Sequence, residues 1–192
     1  MRNSPEQILS EKDPTLGQVI AARACKWPMH PSEDPLWGLI RMVVAQQIAT
    51  RTACQIAERL KSIHPQITYP SASQNIQVST LQSFGLPQRR AECCVEIVRR
   101  SEEIRRRVRQ NHSWEEALAG IKGIGPWTLS VFRIMVLREP DELPAGDVGL
   151  LRAFTNVYGP GADLAKVSEK WRPFRSVACW YLWRTLGNEQ LG

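Results

Sequence analysis

The chain has 192 residues, 43% of them apolar and 23% charged, with 13 prolines and 12 glycines, a composition that excludes disordered and fibrous classes and suits one domain or two small lobes. Its 25 Lys and Arg against 19 Asp and Glu leave a net charge of +6, which favours a polyanionic partner, nucleic acid first. There is no run of about 18 apolar residues and no apolar stretch behind Arg2, so the expectation is a soluble intracellular protein with neither membrane span nor signal peptide.

Helical spacing with start and stop signals recurs along the chain and no strongly alternating pattern appears, so the expected fold class is all-α. The first predicted helix has Asp34 as N-cap, Pro35 at N1, and Leu36, Leu39, Ile40, Val43 and Val44 on one face. Thr50 caps a second, carrying Ala53, Ile56, Ala57 and Leu60; residues 46–49 between them either break the helix or continue it. Beyond a polar stretch over about residues 64–79, a short helix stops at Gly85, and Pro87 opens a long one through Ala91, Cys94, Val98 and Ser101 towards Val108. Its basic end holds Arg99, Arg100, Arg105, Arg106, Arg107 and Arg109 with Glu102 and Glu103 interleaved, and reads as a solvated, locally paired face or as a phosphate-facing stripe.

Ser113-Trp114-Glu115-Glu116 is a capping box, in which the serine accepts from the N3 amide and Glu116 reaches back to the cap. The short helix it starts runs into Ile121-Lys122-Gly123-Ile124-Gly125-Pro126-Trp127-Thr128, where two glycines make a tight hairpin and Pro126 begins a helix ending near Arg138. Pro144-Ala145-Gly146 leads to Asp147, which heads a helix through Leu150, Leu151 and Phe154 as far as Gly159-Pro160. The last predicted helix starts near Pro173 and stops at Gly187.

A G-I-G hairpin at a helix start turns backbone N–H groups outward beside a positive dipole end, which suits a DNA phosphate and reads no base; any tight helix–helix turn can use the same glycines. Cys25, Cys54, Cys93, Cys94 and Cys179 are odd in number and include no C-x-x-C pair, so neither a disulfide framework, a zinc site nor an iron–sulfur cluster is expected.

The segment Ile121 to Thr128, followed by Leu143-Pro144-Ala145-Gly146-Asp147, resembles the helix-hairpin-helix and Gly/Pro-rich loop with aspartate of the HhH-GPD DNA glycosylases. Val43-Val44-Ala45-Gln46-Gln47-Ile48-Ala49 resembles that family's glutamine-containing loop, and Gly85-Leu86-Pro87-Gln88-Arg89-Arg90-Ala91-Glu92 a later helix start. Trp171-Arg172-Pro173-Phe174-Arg175-Ser176, with Trp180-Tyr181-Leu182-Trp183, resembles the tail of the 3-methyladenine DNA glycosylase II branch, so the likeness extends over about residues 35 to 187.

The resemblance implies a two-lobed helix-hairpin-helix glycosylase fold with the active site in the inter-lobe cleft. One lobe would comprise residues 1–40 and 145–192, the other 41–144 with the helix-hairpin-helix at about 113–138. It assigns Asp147 as the catalytic carboxylate, although an aspartate heading a helix is also an ordinary N-cap. Trp127 and Trp183 match base-pocket positions, with core packing as the alternative for each, and Val131 and Val148 stand where that branch often has further aromatics. Lys122, Gly123, Ile124, Gly125 and Thr128 would bind DNA. Gln47 would be the wedge that fills the duplex after base extrusion, with Gln46 or Ile48 in its place if the loop is shifted. The carbonyls of Ala119, Ile121 and Ile124 would hold a structural Na+ or K+; no other cofactor is implied. Trp127 occupies the position of the lysine of bifunctional members, which removes the Schiff-base nucleophile.

The implied function is a monofunctional DNA glycosylase of base excision repair that hydrolyses the N-glycosidic bond of alkylated purines such as 3-methyladenine and 7-methylguanine. It would act as a monomer on double-stranded DNA with damaged bases, in the cytoplasm at the nucleoid in a bacterium, and not at a membrane. A glycosylase for mispaired or deaminated bases, and a helix-hairpin-helix module that binds DNA without chemistry, are the alternatives.

Overall fold

A computed structural model of the chain describes residues 3–31, 34–46, 55–56, 59–60 and 76–187. The described residues form helices and no strand, as expected, and none of these helices is long and apolar enough to cross a membrane. The chain divides into two compact units, Met1–Pro31 with Arg133–Gly192, and Ser32–Phe132. The sequence instead places the joins at 40/41 and 144/145.

The first unit begins with two helices that the apolar spacing did not announce, α1 (Pro5–Lys12) and α2 (Pro14–Ala21). Ser4 closes a capping box with Gln7, and Asp13 caps α2 by accepting from Leu16 N at 3.1 Å. Each helix has proline at its start, where the missing N–H costs nothing. Asp13 is buried and also accepts from Tyr158 Oη at 2.8 Å and Trp171 Nε1 at 2.9 Å, so a single carboxylate ties three segments of the unit together. Around it lie α9 (Val148–Tyr158), α10 (Leu164–Ser168) with a 3-10 turn over Glu169–Trp171, and α11 (Arg175–Arg184). The last of these starts later than predicted and is buried from Ser176 to Trp183, too uniformly for an amphipathic stripe.

In the second unit, α3 (Pro35–Ala45) starts as expected, with Asp34 Oδ1 accepting from Leu36 N and Trp37 N. It ends at Ala45, since Gln46 is extended, which settles the first end of the open interval. Asp34 also receives a two-pronged ion pair from Arg105, at 2.6 and 3.0 Å, which holds the whole of α3 within this unit. Thr50, Ala53 and Ala57 of the second predicted helix lie outside the described residues, whereas Ile56 and Leu60 are helical and buried.

After α4 (Val78–Ser83), the expected single long helix is two: α5 (Gln88–Arg99) and α6 (Ser101–Arg109). The break is at Arg100, with φ −91° and ψ 4°, and no glycine or proline marks it. Of the six arginines of the basic stripe, Arg100 and Arg107 pair locally with Glu103, while Arg105 pairs with Asp34, 71 positions away. The capping box at Ser113 forms as predicted and starts α7 (Trp114–Leu118). Beyond the hairpin, α8 (Pro126–Phe132) passes into a π-helical turn over Arg133–Leu137, and Arg138 ends it at φ +59°.

Three carboxylates make the fold acid-sensitive. Burial by itself would raise Asp13, Asp34 and Asp141; hydrogen bonds from Trp171, Leu16 and Tyr158 to the first, and hydrogen bonds and charge from Arg105 and Arg175 to the others, outweigh it and hold all three below their ordinary value. A carboxylate depressed in the folded state contributes stability above its unfolded value and loses it as pH falls through the folded one. The urea midpoint is therefore expected to be flat from about pH 7 to 5 and to fall below about pH 4. A midpoint unchanged at about pH 3 would show that these bonds do not favour the ionised forms.

Candidate active site

Asp147 is the N-cap of α9. Its Oδ1 accepts from Leu150 N at 2.5 Å and from Trp183 Nε1 at 2.8 Å, and the residue is 9% exposed. The first donor belongs to the helix start and the second to α11, 36 positions later, so the carboxylate is fixed from two directions. Trp183, assigned from the sequence to a base pocket, is 6% exposed with its indole N–H on this oxygen. Cys179 stands one turn before Trp183 on α11; burial pushes its thiol far up, and the negative charge of Asp147 adds to the shift. Gly149 lies tight against the pair: a Cβ there would be 3.1 Å from Asp147 Oδ1 and 3.7 Å from the Trp183 ring. Beside the carboxylate, Val148 is exposed to 78%.

The hairpin belongs to the other unit. Gly123 has φ +99°, which a side-chain-bearing residue rarely adopts, and a Cβ there would also meet Cys93 Sγ at 3.2 Å. Gly125 has open space around the same position, while Lys122 is exposed. Thr128 is buried, and its hydroxyl turns inward, donating to Gly123 O at 3.4 Å and accepting a long bond from Gln46 Nε2 at 3.5 Å. Its side chain thus braces the hairpin from within. Gln46 is engaged in that brace at the end of α3, whereas Gln47 and Ile48 lie outside the described residues. Trp127 is 43% exposed, a large indole face left at the surface of its unit.

Two of the three carbonyls expected to ligate a monovalent cation have donors. Arg100 Nη1 donates to Ala119 O at 3.0 Å, and Ile124 N to Ile121 O at 3.1 Å. Among the described residues, no group of three or more His, Cys, Asp and Glu is placed to hold a metal ion. What sequence reasoning missed is the bond between Trp183 and Asp147 and the contact of Arg100 with Ala119. The only available hint of the first was the spacing that sets Cys179 and Trp183 on one face of a helix.

No protein-family model matches the chain. DNA-3-methyladenine glycosylase 1 of Schizosaccharomyces pombe is 30% identical over 172 residues, which cover 80% of this chain and 73% of that protein. A Mycobacterium tuberculosis protein named as a probable bifunctional transcriptional activator/DNA repair enzyme AlkA is 30% identical over 199 residues, 95% of this chain but 40% of its own length. Among solved structures, the S. pombe 3-methyladenine DNA glycosylase Mag1, in complex with abasic DNA, superposes with a TM-score of 0.79 at 26% identity, covering 97% of this chain and 98% of that one.

Proposed function

The chain belongs to the DNA-3-methyladenine glycosylase family, and from that premise we propose that it hydrolyses the N-glycosidic bond of alkylated purines in DNA, with Asp147 as the catalytic carboxylate. The observation that carries the reading is the carboxylate itself, almost buried and held by a helix amide and an indole N–H. Its position is therefore preset before any substrate arrives, which is what electrostatic stabilisation of a transition state needs.

A purine alkylated on a ring nitrogen carries positive charge. When the bond to C1′ breaks, its electron pair leaves with the base and neutralises it, and the positive charge passes to the sugar. Asp147 stabilises that charge or orients the water that adds to C1′ and then gives up a proton. The exposed indole of Trp127 offers a platform for the extruded base, and a cationic base gains about 0.5 to 2 kcal/mol there by cation–π attraction. The backbone at Gly123 to Gly125, with Lys122 beside it, receives a phosphate and positions the strand without reading bases. Gln47 fills the place of the extruded nucleotide. Trp183, rather than stacking on the base, orients the carboxylate through its N–H. An enzyme of chromosomal DNA works inside the cell, at the nucleoid in a bacterium.

Single-turnover excision tests the reading on identical duplexes carrying 7-methylguanine, hypoxanthine, uracil opposite guanine or thymine opposite guanine. The expected result is fastest release of 7-methylguanine, from a strand that stays unbroken and forms no adduct with borohydride, because Trp127 supplies no amine. Faster release of uracil or thymine would turn the assignment to mispaired bases, and no release from any duplex would leave a DNA-binding module without chemistry.

A further inference from the structure

Carbonyl oxygens at the end of a helix have no partner further along it and carry its negative end. In α7 and the hairpin this applies to Ala119, which caps the helix and whose oxygen is among those expected to hold a monovalent cation. Two of the oxygens already have donors: Ile124 N bonds Ile121 O at 3.1 Å, and a positive charge rests on Ala119 O. That charge is the Arg100 guanidinium, with Nη1 3.0 Å from the oxygen and Nε 3.3 Å from Glu103 Oε2. A metal ion on the same oxygen would face a like charge within a carbonyl's reach.

We propose that Arg100 is the hairpin's resident cation, doing in this chain what the resemblance gives to Na+ or K+. The backbone supports this. Arg100 stands at the corner between α5 and α6, where its N–H donates to Glu96 O at 3.0 Å and its carbonyl accepts from Ile104 N at 2.8 Å. Its side chain therefore leaves from a fixed point, and the planar guanidinium spans Glu103 on one edge and the hairpin on the other. The interruption of the predicted long helix at a position with neither glycine nor proline acquires a purpose: it delivers an arginine to Ala119. Local positive charge behind the hairpin also favours a phosphate in front of it.

The inference rests on the reading that the hairpin receives DNA, and two measurements separate the two. Melting temperature and the Kd for a duplex with an abasic-site analogue are recorded for the full chain at one ionic strength in Na+, K+ and tetramethylammonium buffers. The wild type is expected to show the same values in all three. Arg100→Gln is expected to melt lower and bind about three- to ten-fold more weakly in tetramethylammonium, with recovery in Na+ or K+ as a metal ion takes the vacated oxygen. Arg100→Lys keeps the charge and remains indifferent to the cation. A wild type that weakens in tetramethylammonium holds a metal ion of its own and overturns the proposal, as does an Arg100→Gln protein with no cation dependence. Gly125→Asp, measured alongside, sets a carboxylate before the phosphate and should lose affinity in every buffer. If it does not, the DNA reading of the hairpin fails while the melting temperatures still judge Arg100.

Discussion

Asp147→Asn is expected to lower the single-turnover rate of 7-methylguanine release by roughly a thousand-fold or more while duplex affinity stays near that of the wild type. The substitution is informative because it separates the observed cap from the proposed catalytic role of the residue. As N-cap, Asp147 needs one oxygen to accept from Leu150 N and Trp183 Nε1, and an asparagine carbonyl oxygen accepts both bonds. The proposed chemistry needs negative charge opposite a sugar turning positive, and an amide has none. Fold and cap should therefore survive, checked by an unchanged melting temperature, while the chemistry does not. Release at near wild-type rate would remove Asp147 from the mechanism.

Asp13→Ala should cost about 3 to 5 kcal/mol of stability, because it leaves several buried donors unsatisfied at once. The carboxylate is buried and accepts from Leu16 N, Tyr158 Oη and Trp171 Nε1, and alanine leaves all three donors without it. Two of those donors sit on aromatic rings packed against Phe154, with the Tyr158 ring stacked 4.7 Å away and the Trp171 ring edge-on at 6.3 Å, so they cannot easily swing out to find water. Equilibrium unfolding in urea measures the effect. A loss below about 1 kcal/mol, the value of an isolated helix cap, would mean that the tyrosine and tryptophan are satisfied elsewhere.

What the sequence disclosed was whatever local chemistry decides. Asp34-Pro35, Ser113 with Glu116, and Gly123 with Gly125 each mark an element whose start or turn is fixed within four residues, and the structure has them where expected. The same kind of signal is present at Ser4-Pro5-Glu6-Gln7 and Asp13-Pro14, but each of these helices is only eight residues long and buries a single leucine, Leu9 or Leu16, so its apolar pattern is short and weak. The break at Arg100 was illegible for a different reason. No glycine or proline marks it, and the hydrogen bond that Arg100 gives there is to Ala119, 19 residues away, a distance that no local rule covers. Trp183 is similar: the family resemblance implied a base pocket for it, and only tertiary packing gives its N–H to Asp147.

Gly149 looks like an invitation to engineering. It lies in the first turn of α9, and a glycine within a helix is ordinarily less stable than alanine by about 0.5 to 1 kcal/mol, so helix propensity alone would nominate it for replacement. Yet the added methyl would stand 3.1 Å from Asp147 Oδ1, closer than such contacts comfortably allow. The carboxylate would have to yield by a few tenths of an ångström. A protein selected for heat resistance and one selected for speed should thus part company at this position, the first accepting a side chain and the second refusing every one.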